Sequence, residues 1–298
     1  MLNLIWVRSF LAVVQAGSFQ AAAKRLGLAQ PTISLHIQKL EEQLGTTLLE
    51  RSRTSCRPTS KALAFLPHGE SLMSLNQRAA KSVKTAIVRI GASSNIAIYL
   101  LQPYLKSYQN EHAEPFELTI EQNPRIADML ETGELDIGLM EWWDQREGFE
   151  SRSWKWEPLV VIVAPDHPWA ARKLIMREEL QHVPLLGGEP GTGTGRLLSA
   201  CFGHTWQPPS PTLQLGSTEA VKQAVKYGLG ISLVLRACVE SEIRDGSLIA
   251  LPLDHPGLSK TLWIIWRKNP PLHGETVPSF VNHILGRSSR AGPGYAEI

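Results

Sequence analysis

Apolar residues recur at three- and four-residue spacing from the N-terminus to about residue 84, and in short continuous runs after that. The first period is that of amphipathic helices, and the second suits buried strands between helices. Residues 3–16 put Ile5, Phe10, Val13 and Val14 on one helical face, with Ala12 beside them. Gly17 is a natural stop, and Ser18 stands where the next helix needs its N-cap. The alanine-rich stretch 20–26 predicts a short helix that lets neighbouring backbones approach, ended by Gly27. Pro31 falls in the first turn of a third helix, where its missing N–H costs nothing. That helix runs to about Gln43, with Ile33, Ile37, Leu40 and Leu44 as its buried stripe and Gly45 as its end. From Ser60 to about Lys84, Leu63, Leu66, Leu72, Leu75, Ala79 and Val83 mark a long amphipathic helix, with a kink expected near Pro67.

From Ala86 the texture changes. Strands are predicted at 87–92, 116–121, 135–140 and 159–164, with helices at 93–110 and 125–132 between them. Pro165 then leads into a second lobe with strands at 185–186, 212–215 and 231–235 and helices near 194–202 and 218–226. Residues 261–266 return to the first lobe, a helix over about 277–285 closes it, and the tail 286–298 is polar and glycine-rich. Such alternation implies mostly parallel sheets with helices on their faces. The fold class is therefore α+β multidomain: a head at 1–59, a linker helix at 60–85 and a two-lobed α/β body at 86–298. Lobe I covers about 86–162 and 267–285, and lobe II about 163–266.

Charge sharpens this division. The chain of 298 residues carries a formal net charge of only +2. Residues 1–88 hold 11 Lys/Arg against 4 Asp/Glu, and residues 89–298 hold 19 against 24. A basic head on an acidic body points the head at a polyanion. With 43% apolar and 19% charged residues the chain is not disordered. No apolar run nears the ~20 residues of a membrane helix, and no signal peptide is readable. Cys56, Cys201 and Cys238 are odd in number and widely spaced, which excludes a disulfide framework and fits a reducing cytoplasm. Nine tryptophans, four of them within 142–156, read as core or interface anchors.

Helix, short turn with glycine, helix is the pattern of a helix-turn-helix, whose second helix enters the major groove of DNA. The exposed side chains of the third helix are Gln30, Thr32, Ser34, Leu35, Gln38 and Lys39. Glutamine reads adenine through two hydrogen bonds, Ser and Thr bond either base, and an apolar side chain touches the thymine methyl. By spacing alone, the solvated face of an ordinary helical hairpin is the alternative.

Phe10, Val14, Gly17, Ser18, Ala22, Ala23, Leu26, Gln30, Pro31, Ser34, Ile37, Leu40, Glu41, Leu44, Gly45, Leu48 and Arg51 fall in the order and spacing of the LysR-type transcriptional regulators, which this head resembles. The resemblance implies a winged helix-turn-helix with 46–58 as the wing. It implies DNA contacts from Ser18, Gln30, Pro31, Thr32, Ser34, Leu35, Gln38, Arg51 and Arg53, with Arg51, Arg53 and Arg57 on phosphates. Ala29 stands where the family usually has serine, which removes a side-chain cap, and Leu35 is apolar where the family is often polar. The linker helix would pair two subunits into a homodimer, with pairing of dimers into a homotetramer; packing on its own chain is the alternative.

In open α/β sheets, ligands sit beyond the carboxyl ends of strands and against helix N-termini. Ser93, Ser94 and Asn95, the 187–195 loop with Thr192 and Thr194, and Ser217 with Thr218 meet that description, and Asn123 follows the second strand on the same wall. Hydroxyls and free N–H groups suit an anion or a carboxylate. Helix capping is the alternative for each segment alone. "LETGELDIGL" (130–139), "VAPDHPWA" (163–170) and "LGSTEAVKQAVKYGLGISLV" (215–234) are similar to the effector domain of the same family. "EPGTGT" (189–194) resembles the E-P-G-S-G-T-R loop of one branch, with Gly195 intervening before Arg196. The resemblance implies a body like a periplasmic binding protein that binds a small-molecule effector and shifts the population of DNA-competent states.

Enzyme signatures are missing from the sequence. The glycine loop has no lysine and is not a nucleotide-phosphate loop, and there is no G-x-S-x-G elbow. The nine histidines show no metal-ligand spacing. Cys201 reads as a structural thiol. The expectation is a cytoplasmic DNA-binding regulator with no cofactor, metal site or membrane segment.

Overall fold

The structure is a computed structural model. It describes residues 1–51, 56–82, 87–112, 115–188, 190–202, 210–255, 258–268 and 276–288. Two compact units divide the chain, Met1–Thr85 and Ala86–Ile298.

In the first unit, α1 (Leu4–Ala16) ends at Gly17, whose φ of 66° is left-handed and suits glycine. Ser18 Oγ then accepts from Ala21 N at 3.1 Å and starts α2 (Phe19–Leu26). α3 (Gln30–Leu44) has proline in its first turn and no side-chain cap from Ala29, as the sequence predicts. Val7, Phe10, Val13, Ala22, Ile33, Ile37 and Leu40 share the core. Ile5, expected in the α1 stripe, is 52% exposed, because the i, i+3, i+4 set of Val7, Phe10 and Leu11 defines the buried face instead. Ser9 Oγ donates to Ile5 O at 3.1 Å, which leaves it to accept from His36 Nδ1 at 2.8 Å and ties α1 to α3. The strands β1 (Leu49–Arg51) and β2 (Cys56–Pro58) pair antiparallel. Glu41 Oε1 accepts from the Leu48 and Leu49 amides at 2.7 and 3.1 Å, so α3 carries the root of this hairpin. α4 (Ser60–Ser82) continues through Pro67. Ala62 and Gly69 of α4 are buried, and Gly69 sits against Val7 and Leu11 of α1. Leu63 and Leu75 are 57% and 46% exposed. Val83 lies outside the described residues.

In the second unit, β3 (Val88–Ala92) leads through a π-helical stretch, Ile96–Leu101, into α5 (Gln102–Glu111). The single helix expected at 93–110 is thus two helical types in sequence, and Asn95 makes no cap. β4 (Phe116–Ile120), α6 (Asn123–Glu131) and β5 (Ile137–Met140) follow, with β3 parallel to both β4 and β5. A Cβ on Gly91 or Gly138 would stand 2.2 or 2.8 Å from Leu135 or Leu130, so glycine lets the α6 connection lie flat on the sheet.

β6 (Phe149–Val163) is more than twice the predicted strand. Its first half interleaves charged residues with serines and aromatics and is half-exposed, so it lacks the continuous apolar run that betrays the second half. β7 (Leu186–Gly187), α7 (Thr194–Phe202), β8 (Leu213–Gln214), α8 (Thr218–Lys226) and β9 (Ser232–Leu235) build the second lobe. α9 (Glu240–Asp245) and β10 (Ile249–Leu251), which the sequence reading omitted, complete it. β11 (Ser259–Arg267) pairs with β6 along its length and with β5 from Trp263, and α10 (Thr276–Ser288) packs back on α5.

The β6 partners change at Pro158. Phe149–Pro158 ladder on β11, and Leu159–Val163 on β9 and β10. β11 ladders on the first half of β6 from its first residue, Ser259, opposite Pro158. Among the described residues no helix is long and apolar enough to cross a membrane.

Candidate functional site

On the head, α3 presents Gln30, Pro31, Leu35, Gln38 and Lys39 to solvent, while Thr32 and Ser34 are half-buried. Leu35 is 51% exposed. Gln38 Nε2 donates to Glu42 Oε1 at 2.9 Å, which holds its amide on the helix surface. Contact with Lys39 also keeps the Glu42 carboxyl below its ordinary value. Ser18 is engaged as the α2 cap. Arg51 ends β1, and Arg57 is exposed on β2. Arg53 lies outside the described residues.

In the body, a cavity of ≈ 380 Å³ opens between the glycine loop, the start of α8, β9 and β11. Asn95, Thr192, Thr194 and Thr218, all predicted, line it. Ser93 and Asn123 do not line it; Ser93 bonds to Glu141 and Asn123 to Gly191 of the glycine loop. Ser217 is exposed and caps α8 by accepting from Ala220 N at 3.2 Å. Ser94 is half-buried and outside the lining.

Beside the cavity lies a buried pair that the sequence reading missed, of which Lys260 lines it. Glu141, at the carboxyl end of β5, and Lys260, at the start of β11, are 3% and 4% exposed and lie 2.7 Å apart. Glu141 Oε1 accepts from Asn95 Nδ2 at 3.0 Å and from Ser93 Oγ at 3.4 Å. Lys260 Nζ also donates to Thr192 O at 2.9 Å, and Thr218 Oγ1 donates to Asn95 Oδ1 at 2.7 Å. Asn123 Nδ2 reaches Gly191 O at 3.1 Å, and Trp142 Nε1 reaches the same oxygen at 2.6 Å. Residues of lobe I thus grip the glycine loop and α8 of lobe II. The signal was present in the sequence. A glutamate directly follows a buried strand, and a lysine stands just ahead of the apolar run 262–266.

A second bridge lies beside the first. Tyr99, on the π-helical stretch, bonds to Glu219 of α8. Lys222, 2% exposed, sits 2.6 Å from Glu219, 2.9 Å from Glu242 and 3.0 Å from Cys238 O. Burial alone would lower the lysine; the two carboxylates outweigh it and raise its pKa. Burial, reinforced by Glu219, pushes the Tyr99 phenol well above its usual range. The apolar wall comes from Leu159, Leu198, Val221 and Leu233. Cys201 on α7 is half-buried, and burial raises its thiol, which makes it a poor nucleophile.

A helix-turn-helix unit and a two-lobed α/β unit with a lined cleft define a ligand-responsive DNA-binding regulator. The chain matches the model of the bacterial regulatory helix-turn-helix protein, lysR family, over residues 4–63, and that of the LysR substrate binding domain over residues 82–288. It belongs to the LysR family of transcriptional regulators, which are not enzymes. It is 52% identical over 197 residues to the HTH-type regulator PtxE of Stutzerimonas stutzeri, covering 65% of this chain and 100% of that one. It is 26% identical to the RuBisCO operon transcriptional regulator of Allochromatium vinosum over 97% of both chains. Among solved structures, full-length CbnR in complex with its target DNA shares the fold at TM-score 0.74 and 22% identity, over 96% of this chain and 100% of that one. Full-length OxyR of Pseudomonas aeruginosa is similar at TM-score 0.62 and 25% identity, over 98% and 99%.

Proposed function

We infer that the chain acts in the cytoplasm as a homodimer, pairing further into a homotetramer, whose promoter affinity is set by a small molecule in the lobe cleft. One observation carries this reading: the cavity is bounded by both lobes, and hydrogen bonds that cross between them tie the lobes together around it. A ligand that replaces or adds to those bonds changes the lobe equilibrium, and a differential affinity of about 1–3 kcal/mol is enough for useful regulation. Lys260 is the charged residue among the described lining positions, which favours an anionic head group, and the leucine and valine wall suits a compact apolar body. An anion must share Lys260 with Glu141, so binding and rearrangement of that pair are coupled. Support for the dimer comes from the exposed Leu63 and Leu75 on the long helix α4.

Base contacts are assigned to Gln30, Thr32, Ser34, Leu35 and Gln38, and phosphate contacts to Arg51 and Arg53. The test is binding of the full chain to a promoter fragment over a range of salt, with and without small carboxylates and oxyanions. Affinity should fall steeply with salt, and Arg51→Ala should reduce the log–log slope by about one. Weak, salt-independent affinity would refute DNA binding. Unchanged promoter affinity with a carboxylate that raises the melting temperature would refute the coupling.

A further inference from the structure

A cluster of ligating side chains lies where α5 and α10 meet. Glu111 ends α5, His112 follows it directly, and His283 sits on α10. One ligand atom from each lies within 4.8 Å of the others. The hydrogen bonds around His283 fix its tautomer. Ser107 Oγ donates to Tyr104 O at 2.9 Å, so towards His283 Nε2, at 2.7 Å, the same oxygen can only accept. The ring proton therefore sits on Nε2, and the Nδ1 lone pair faces Glu111 Oε2 at 3.3 Å. Nδ1 and Oε2 at that distance can share a proton or hold a metal ion between them.

The surroundings match those of a metal ligand set. A ligating histidine commonly donates its other ring N–H to an oxygen acceptor, as Nε2 does here. Glu111 Oε1 is held by Arg287, which orients the carboxylate and leaves Oε2 for the centre of the cluster. The His112 ring is stacked on Tyr108 at 4.3 Å and lies edge-on to His283 at 5.8 Å. We propose that Glu111, His112 and His283 bind a divalent transition-metal ion of the zinc class, with water in the fourth position. Two imidazole nitrogens and one carboxylate oxygen suit zinc, cobalt or nickel, whereas magnesium and calcium prefer all-oxygen sets. The ion would clamp α10 onto α5 within lobe I.

The test uses the full chain, stripped with chelator and titrated with CoCl2, ZnCl2 and MgCl2. One equivalent of Co2+ should give the visible absorption bands of a four-coordinate site, and Zn2+ but not Mg2+ should raise the melting temperature by several degrees. Glu111→Gln, at a half-exposed position, should weaken Zn2+ at least about tenfold, and His112→Ala should abolish the cobalt bands. The metal-free melting temperatures of both variants serve as the folding control. The wild-type cobalt spectrum is informative whatever the variants do. Absence of saturable uptake by the wild type would overturn the proposal. So would uptake that survives in the Glu111→Gln, His112→Ala double variant.

Discussion

The exposed face of α3 and the lobe cleft use similar side chains in opposite ways. On α3, Gln30, Leu35 and Gln38 come from one helix and stand in solvent, and among the described residues the Gln38 amide bonds only within its own helix, to Glu42. In the cleft, Asn95, Glu141, Thr218 and Lys260 come from four distant segments, are buried, and satisfy one another. An exposed face can change its specificity without changing stability. A buried network cannot, because each member removed strands a partner in a medium that solvates it poorly.

The sharpest way to break this contrast is Lys260→Met. Removing one member of a buried ion pair typically costs about 3–5 kcal/mol, and the Glu141→Leu, Lys260→Met double variant should recover most of it. Urea unfolding of the three variants measures the coupling, and a single-variant loss under about 1 kcal/mol would mean the pair is solvated. Next comes the head. Ser34→Ala with Gln38→Ala should lose about 1–3 kcal/mol of discrimination between promoter and mismatched sites, with an unchanged melting temperature. Equal loss on every sequence would remove these residues from base reading. A smaller effect is expected for Thr218→Val, which leaves Asn95 Oδ1 without its donor at a cost of about 1 kcal/mol. The same change should alter effector affinity; if calorimetry shows neither effect, the Thr218 bridge does not hold the lobes.

The smallest effect concerns pH. His167 Nδ1 accepts from Trp169 N at 3.1 Å, which requires the unprotonated nitrogen, and burial lowers its pKa against the pull of Asp166. Below the ordinary histidine value of about 6.5 the unfolded chain binds the proton first, so stability is lost as pH falls through that range. Urea midpoints of wild type and His167→Asn at about pH 7.5 and pH 5.5 test this, since the variant should lose part of the pH slope. Equal slopes would show that His167 is solvated.

Local signals made the head legible. Gly17, Gly27 and Gly45 each take a left-handed φ at a helix end, and Ser18 caps α2, as their order along the chain requires. α7 and α8 have the predicted bounds because their periodic faces and N-terminal hydroxyls are contiguous in sequence. The first half of β6 was hidden by its polar outer face. The cleft was half legible. The sequence placed Asn95, Thr192, Thr194 and Thr218 at element ends, but it gave Ser217 the same weight, and Ser217 caps its own helix.

The sequence by itself determined the helix-turn-helix, the charge split between head and body and the βα alternation, because each depends on neighbours within a turn or a strand. Only the tertiary structure decided that Glu141 meets Lys260 and that Thr218 meets Asn95. It alone decided that β6 changes partners at Pro158. Those pairings join residues far apart in the chain, where no local period records them, and burial rather than propensity selects which polar groups must find one another.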